Sequence, residues 1–273
     1  MSFLDNIQKG KDTKPRRTLL YGLDGVGKST WGAMAPKPIF IDTEGGLGDI
    51  NCDKFPKAKT FEEVILAISD LYTNKEHDYQ TLCVDSLDWL ERLIWEKVCS
   101  DEGVANIEEI GYARGYTIAL NPWQTFLDGL DALRNSRQMA IVLIAHCAIE
   151  KIKEPDKEPY DVYGPRLHKK AAPILREWSD EVFFARYKIQ TMEKDEGFGR
   201  KRHQAVGDGE RILHTSPNPS YMAKNRLHNL PETLPMDYRE YAKFFNNKGS
   251  PPNPPATPQV NLIKESETKP KNS

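Results

Sequence analysis

Cysteine is scarce. The four present (Cys52, Cys83, Cys99 and Cys147) form no CxxC pair and no regular spacing. That argues against a structural zinc site or a disulfide framework and fits a reducing, cytoplasmic setting. Long apolar runs are absent: nothing approaches the roughly 20 residues that span a bilayer, so no membrane association is expected. Residues 1–17 also lack the apolar stretch of a signal peptide. An excess of one charge is missing too. Lys and Arg number 38 against 40 Asp and Glu, a net charge of −2, so any nucleic-acid role must rest on local patches. What remains is a chain of 273 residues, 38% hydrophobic and 29% charged. That describes a soluble globular protein large enough to bury a sizeable core.

Composition divides the chain into three. Residues 1–15 read as a flexible N-terminal arm. Residues 247–273 hold six prolines and few large apolar groups, too little to offset the entropy of ordering them, and are expected to be disordered. The core is then 16–246. Within it short apolar runs alternate with helical patterns. Strands are expected at Thr18–Tyr21, Pro38–Asp42, Thr81–Asp85, Met139–Ala145 and Glu181–Ile189. Phe61, Val64, Ile65, Ile68 and Leu71 recur at helical spacing, and so do Leu87, Leu90, Ile94 and Val98. Asn121-Pro122 reads as a helix start, cap then first-turn proline. Apolar strands separated by helices indicate an α/β fold, a mostly parallel sheet flanked by helices on both faces. Arg202–Val206 and Arg211–Thr215 flank Gly207-Asp208-Gly209 and are expected to form a C-terminal β-hairpin. A terminal helix is expected over Asp237–Phe245. Residues 101–118 and 148–166 show no convincing period and read as long loops, which often carry function.

One motif decides the class. Gly22-Leu-Asp24-Gly25-Val26-Gly27-Lys28-Ser29 matches G-x-x-x-x-G-K-[ST], after an expected strand and before an expected helix, the context a phosphate-binding loop requires. Glycines let backbone N–H groups approach phosphate oxygens, and the following helix adds positive potential at Thr30 and its neighbours. Lys28 can reach the β- and γ-phosphates of ATP, and the Ser29 hydroxyl can ligate Mg²⁺. Asp85 ends an apolar strand, where a carboxylate suits a Mg²⁺ site; helix capping is the plainer alternative. Glu44 follows the Pro38–Asp42 strand and would face the same crevice, as a general base for the attacking water or as a solvated turn residue. His146 closes the MAIVLIA strand, as a γ-phosphate sensor or as an ordinary hydrogen-bonded histidine.

Together these residues resemble the ATPase core of the RecA superfamily over about residues 16–230. The landmarks run in that superfamily's order: the phosphate loop Gly22–Thr30, IDTEG at 41–45, VDS at 84–86 and LIAH at 143–146. The resemblance makes Glu44 the residue that activates water. His146 stands where glutamine is common. TEGG at 43–46, VDSLDWLE at 84–91, YDVYGPRLHKKA at 160–171 and EWSDEVFFA at 177–185 are similar to small phage RecA-like ATPases classed with single-strand annealing proteins.

That resemblance implies a RecA-like P-loop NTPase of phage recombination in the host cytoplasm. Such a protein binds single-stranded DNA and acts with a single-strand DNA-binding protein and other copies of itself, as a filament or ring. It implies DNA-facing loops at 101–118 and 148–166, which contain Arg114, Lys151 and Lys153 and lead into Arg166, Lys169 and Lys170. Tyr112, Tyr116, Tyr160 and Tyr163 could stack on unpaired bases. Five carboxylates also lie in 148–166, so that segment is no basic patch. Lys224-Asn225-Arg226 resembles an element whose cations reach a neighbouring subunit's γ-phosphate, and Arg200–His203 is a basic run of the same ambiguity. No extra DNA-binding domain is visible, which favours annealing over homologous pairing. A helicase-like motor or loader, and a nucleotide-gated binder with little hydrolysis, remain as alternatives; a kinase would need a lid that the sequence does not show.

Overall fold

A computed structural model describes residues 14–246, apart from 189, 196–200, 207–208 and 228, together with 4, 7 and 10. For 190–195, 201–206 and 246 only the backbone is described. The expected tail at 247–273 and most of the expected arm lie outside these residues, as does Arg200 of the basic run.

In chain order the elements are β1 (Arg17–Gly22), α1 (Lys28–Ala33), β2 (Pro38–Asp42), β3 (Asp53–Lys54), α2 (Phe61–Thr73), β4 (Thr81–Asp85) and α3 (Leu87–Glu102). A 3₁₀ turn at Ile107–Ile110 follows, then α4 (Arg114–Ile118), α5 (Leu120–Ser136), β5 (Ala140–Ile152), β6 (Tyr160–Pro165), α6 (Ala171–Trp178) and β7 (Glu181–Tyr187). The last described elements are β8 (Gln190–Asp195), β9 (Lys201–Val206), β10 (Arg211–His214), β11 (Thr233–Pro235) and α7 (Tyr238–Asn246).

Continuous apolar strands need cover on both faces, and the sheet has it. Its order is β11-β10-β7-β1-β5-β4-β2-β3, with β6 paired to β5. From β7 to β3 the neighbours on this path run parallel. Side chains alternate strictly between faces. Leu19, Tyr21, Ile41, Val84, Leu143 and Phe184 join the apolar faces of α2, α3, α5 and α6. Leu20, Phe40, Cys83, Ile144 and Phe183 face the opposite way, with Trp31 of α1 and Tyr241 of α7. This is the α/β P-loop architecture that the alternation of strands and helices indicates.

Four local expectations change. The hairpin is present, but β9 pairs with β8, not with Arg211–Thr215. β10 instead joins the main sheet, antiparallel to β7 and β11. Residues 148–166 are not a loop: β5 runs on past Ala145 to Ile152 and folds back on β6, Cys147 opposite Pro165 and Ile152 opposite Tyr160. Residues 101–118 hold the end of α3, the 3₁₀ turn and α4. Asn121 is no cap, because α5 already begins at Leu120 and Pro122 is buried in its first turn.

The face that carries α7 depends on a buried charge. The Glu181 carboxylate is inaccessible to solvent and accepts hydrogen bonds from Tyr241 Oη and, at 3.0 Å, from Thr18 Oγ1. Burial raises its pKa despite those donors. A buried acceptor that loses a donor costs roughly 1–3 kcal/mol. Tyr241→Phe is therefore expected to lower the urea-unfolding free energy by about that amount; an unchanged midpoint would show that this bond does not anchor α7.

Candidate functional site

Parallel strands open their carboxyl ends on one edge, and five of them converge there. Gly22 of β1 lies opposite His146 of β5 and Ala185 of β7, and Asp85 of β4 lies opposite Ile144 of β5 and Asp42 of β2. One strand, β5, thus separates the loop that follows β1 from Asp85. Gly22 is required by space: a Cβ there would stand 2.1 Å from the Ala185 carbonyl oxygen. Gly27, just before α1, takes φ 94°, a conformation that favours glycine.

Lys28 is the first residue of α1 and is buried, and its Nζ donates to the carbonyls of Gly22 (3.2 Å) and Leu23 (2.9 Å). Burial pushes its pKa below the ordinary value, while the charges of Asp85, Asp24 and Glu44 oppose the shift. Ser29 Oγ donates to Asp85 Oδ2. Burial, reinforced by Glu44 and Asp42 and countered by Ser29 and Lys28, pushes the Asp85 carboxyl up to about 6. Ser29 and Asp85 therefore supply a hard oxygen pair in a place where an anion is poorly solvated, which fits a small divalent cation such as Mg²⁺. Asp24 extends into solvent, 83% exposed. Thr30 is exposed in α1, and Val26 is buried in the core beneath the loop.

Glu44 is held at the end of β2 by its surroundings. Asp42 Oδ1 accepts from the backbone N–H groups of Glu44 (3.1 Å) and Gly45 (2.6 Å). Thr43 Oγ1 donates to the Ser86 carbonyl and accepts from the Ser86 N–H, both at 2.8 Å. Ser86 Oγ donates to Glu44 Oε2 at 3.1 Å. On the other side, His146 Nε2 stands 3.8 Å from Glu44 Oε1 and 3.5 Å from Asp24 Oδ1. The structure thus brings Lys28, Ser29, Glu44, Asp85 and His146 to one edge.

Asp88 is a member of this group that the sequence pattern did not single out. Its carboxylate is buried in the first turn of α3. It meets His146 Nδ1 at 3.0 and 3.1 Å, and accepts from the His146 N–H at 3.2 Å and from Arg166 Nη2 at 2.6 Å. Against the upward pull of burial, those bonds hold the Asp88 carboxyl well below the usual range. The same hydrogen bond raises the pKa of His146. One turn on, Glu91 accepts from the His168 N–H at 2.9 and 3.1 Å, and burial pushes its carboxyl up to about 7. Asp88 and Glu91 stand three apart on α3, a spacing that shares one face, but nothing local marks them as inward.

The residues expected to meet DNA divide. Arg114, Lys151, Lys153 and Lys169 are exposed. Arg166 is committed to Asp88, and Lys170 Nζ donates to Thr117 Oγ1. Tyr116 stacks on His168 at 4.0 Å and Tyr163 on Phe184 at 5.1 Å, so neither offers a free ring face as fully as Tyr112, which is completely exposed. Lys224 and Arg226 lie at the far edge, beside the start of β7: Lys224 Nζ donates to the Arg176 carbonyl at 2.7 Å, and Arg226 Nη1 to Asp180 Oδ1 at 2.8 Å. They take no part in this chain's own phosphate loop.

His146 gives the site a pH signature. Its raised pKa means that its pairing with Asp88 stabilises the fold fully below the unfolded value of ~6.5, and that this contribution is lost as pH rises through the folded value. Asp88→Asn is therefore expected to lower the melting temperature more at about pH 5.5 than at about pH 9. The loss that remains at high pH belongs to Arg166, which stays charged. Equal losses at both values would show that His146 does not carry the charge.

No described helix is long and apolar enough to cross a membrane. A comparison with curated proteins gives no match. The family model described as an AAA domain matches residues 14–227, well over half of the chain and the whole of the site above. With its phosphate loop, its metal-competent Ser29–Asp85 pair and that match, the chain belongs to the AAA domain family of P-loop ATPases.

Proposed function

We propose that this protein is a RecA-like, single-stranded-DNA-dependent ATPase that promotes annealing or strand assimilation in phage recombination, together with a single-strand DNA-binding protein and further copies of itself. One observation carries the reading. A chain of contacts, Ser86–Glu44, His146, Asp88, Arg166, hydrogen-bonded except for a 3.8 Å charge contact between Glu44 and His146, links the phosphate edge to the root of the β5–β6 hairpin, the segment assigned to DNA. At that root the Arg166 N–H also donates to the His146 carbonyl at 2.8 Å.

Each group has a role in hydrolysis. The backbone of Gly22, Gly25, Val26 and Gly27 surrounds the phosphates, and Lys28 Nζ exchanges two loop carbonyls for phosphate oxygens. Ser29 and Asp85 would hold Mg²⁺, which would neutralise charge on the phosphates. Glu44 takes a proton from the water that attacks the γ-phosphorus as the bond to the β–γ bridging oxygen breaks and ADP leaves, and Ser86 holds the carboxylate in place meanwhile. His146 senses whether a γ-phosphate is present, because its imidazole lies between Glu44 and Asp88. A shift of His146 would pull on Asp88 and so on Arg166, which carries nucleotide state to the hairpin. Lys224 and Arg226 are assigned to the neighbouring copy's γ-phosphate.

Steady-state ATPase with and without single-stranded DNA tests the reading. Single strands are expected to stimulate turnover, and Glu44→Gln to lower it by about 10²-fold or more. A DNA-independent rate would favour a helicase-like motor or a nucleotide-gated binder, and duplex unwinding by the isolated protein would select the motor. Asp85→Asn is expected to retain ATP binding and to lose hydrolysis; normal turnover by this variant would overturn the metal assignment.

A further inference from the structure

The phosphate loop has a neighbour that neither its motif nor the reading above assigns. β10 adds to the sheet antiparallel to β7, with Arg211 opposite Tyr187. That brings Arg211 to the carboxyl end of β7, the same edge from which the loop leaves β1. Its guanidinium reaches inward. Arg211 Nη1 stands 2.7 Å from the point where a Cβ on Gly27 would sit, and Cζ 3.7 Å from it. The same strand pair grips the loop a second time, since Tyr187 Oη donates to the Gly25 carbonyl at 3.1 Å.

We propose that Arg211 binds the α- and β-phosphates of the nucleotide in cis, as a second side-chain cation beside Lys28. The inference rests on the nucleotide-binding reading of this site. Four features support it. Gly27 belongs to the stretch whose backbone N–H groups cradle the α- and β-phosphates, so a cation over Gly27 faces those groups and not the γ-phosphate. Arg211 is exposed and makes no side-chain hydrogen bond or ion pair with any described residue, whereas the neighbouring Lys188 pairs with Glu210 at 2.6 Å; among the described residues no carboxylate draws the guanidinium to the loop. Its planar, permanently charged fork matches two phosphate oxygens at once. Asp24, Glu44 and Asp85 crowd the other side of the loop with negative charge, so a polyphosphate gains from a second cation here.

Titration calorimetry with ATP and with ADP, each with Mg²⁺, is the test, with Lys28→Ala in parallel. Arg211→Ala is expected to weaken both nucleotides by a similar factor of about ten, and Arg211→Lys by less. Unchanged affinity for both nucleotides in Arg211→Ala, while Lys28→Ala loses binding, would overturn this inference and leave the site reading intact. Weakened ATP with intact ADP would also overturn it, because the cation would then serve the γ-phosphate. If the unsubstituted protein binds neither nucleotide, the site reading itself fails. A thermal melt without nucleotide checks the fold, and Arg211→Lys, which keeps the charge and most of the length, serves if the alanine variant does not fold.

Discussion

The Asp88 carboxylate is the constraint on which the surrounding structure depends. A buried charge without partners is costly, and losing one partner of such a group typically costs about 3–5 kcal/mol. Asp88 has satisfied this by recruiting donors from two strands, the imidazole and backbone of His146 on β5 and the guanidinium of Arg166 just after β6. The consequence is geometric. His146 cannot turn freely, because Nδ1 is fixed by Asp88 and Nε2 is thereby aimed at Glu44. Arg166 closes on the same carboxylate, so the base of the β5–β6 hairpin is tied to α3. One carboxylate thus sets the orientation of a group at the phosphate edge and the anchorage of a segment outside it.

Charge balance at that edge explains the next layer. Asp24, Glu44 and Asp85 lie around a buried ammonium, Lys28. The raised pKa of Asp85 and the lowered pKa of Lys28 have the same leading cause, poor solvation. Asp85 is eased by a cation, and Lys28 by an anion. A metal–phosphate pair supplies both, which is why the site suits a Mg²⁺ nucleotide better than either component alone. Arg211 fits the same balance, since it adds positive charge on the side of the loop that the carboxylates do not occupy.

Much of this was legible in the sequence, for physical reasons. The phosphate loop is local, and its residue types follow from backbone approach and charge, so Gly22–Thr30 could be read without the fold. Strands β1, β2, β4 and β7 are buried on both faces and so appear as apolar runs. The expected strand 139–145 ended too early because β5 changes partners at Cys147, from two buried parallel neighbours to one antiparallel strand that is half exposed, and its apolar signal fades there. The hairpin pairing was misread because the Gly-Asp-Gly turn dominates locally, while Arg211–His214 is captured by β7, far away in sequence. Asp88 and Glu91 lie in the quoted VDSLDWLE stretch and Arg211 opens an expected strand, but their roles could not be read for a related reason: each gains its meaning from a distant partner, His146 and Arg166, His168, and Gly27 respectively.

The far edge of the sheet completes the argument about Lys224 and Arg226. Asp180 is buried there and is met by three arginines: Arg17 at 3.1 Å, Arg134 at 3.4 Å and Arg226 at 2.8 Å. Arg17 and Arg134 are largely covered, while the Arg226 side chain is 52% exposed. A carboxylate with three cationic partners loses less when the most exposed one leaves, because the other two still compensate its charge. Arg226 is therefore held in place but not committed. In the proposed assembly it can turn toward a neighbour's phosphate without exposing Asp180 as an unpaired buried charge, which is the property a cation acting between subunits requires. The Arg226–Asp180 contact is thus no objection to a role in trans.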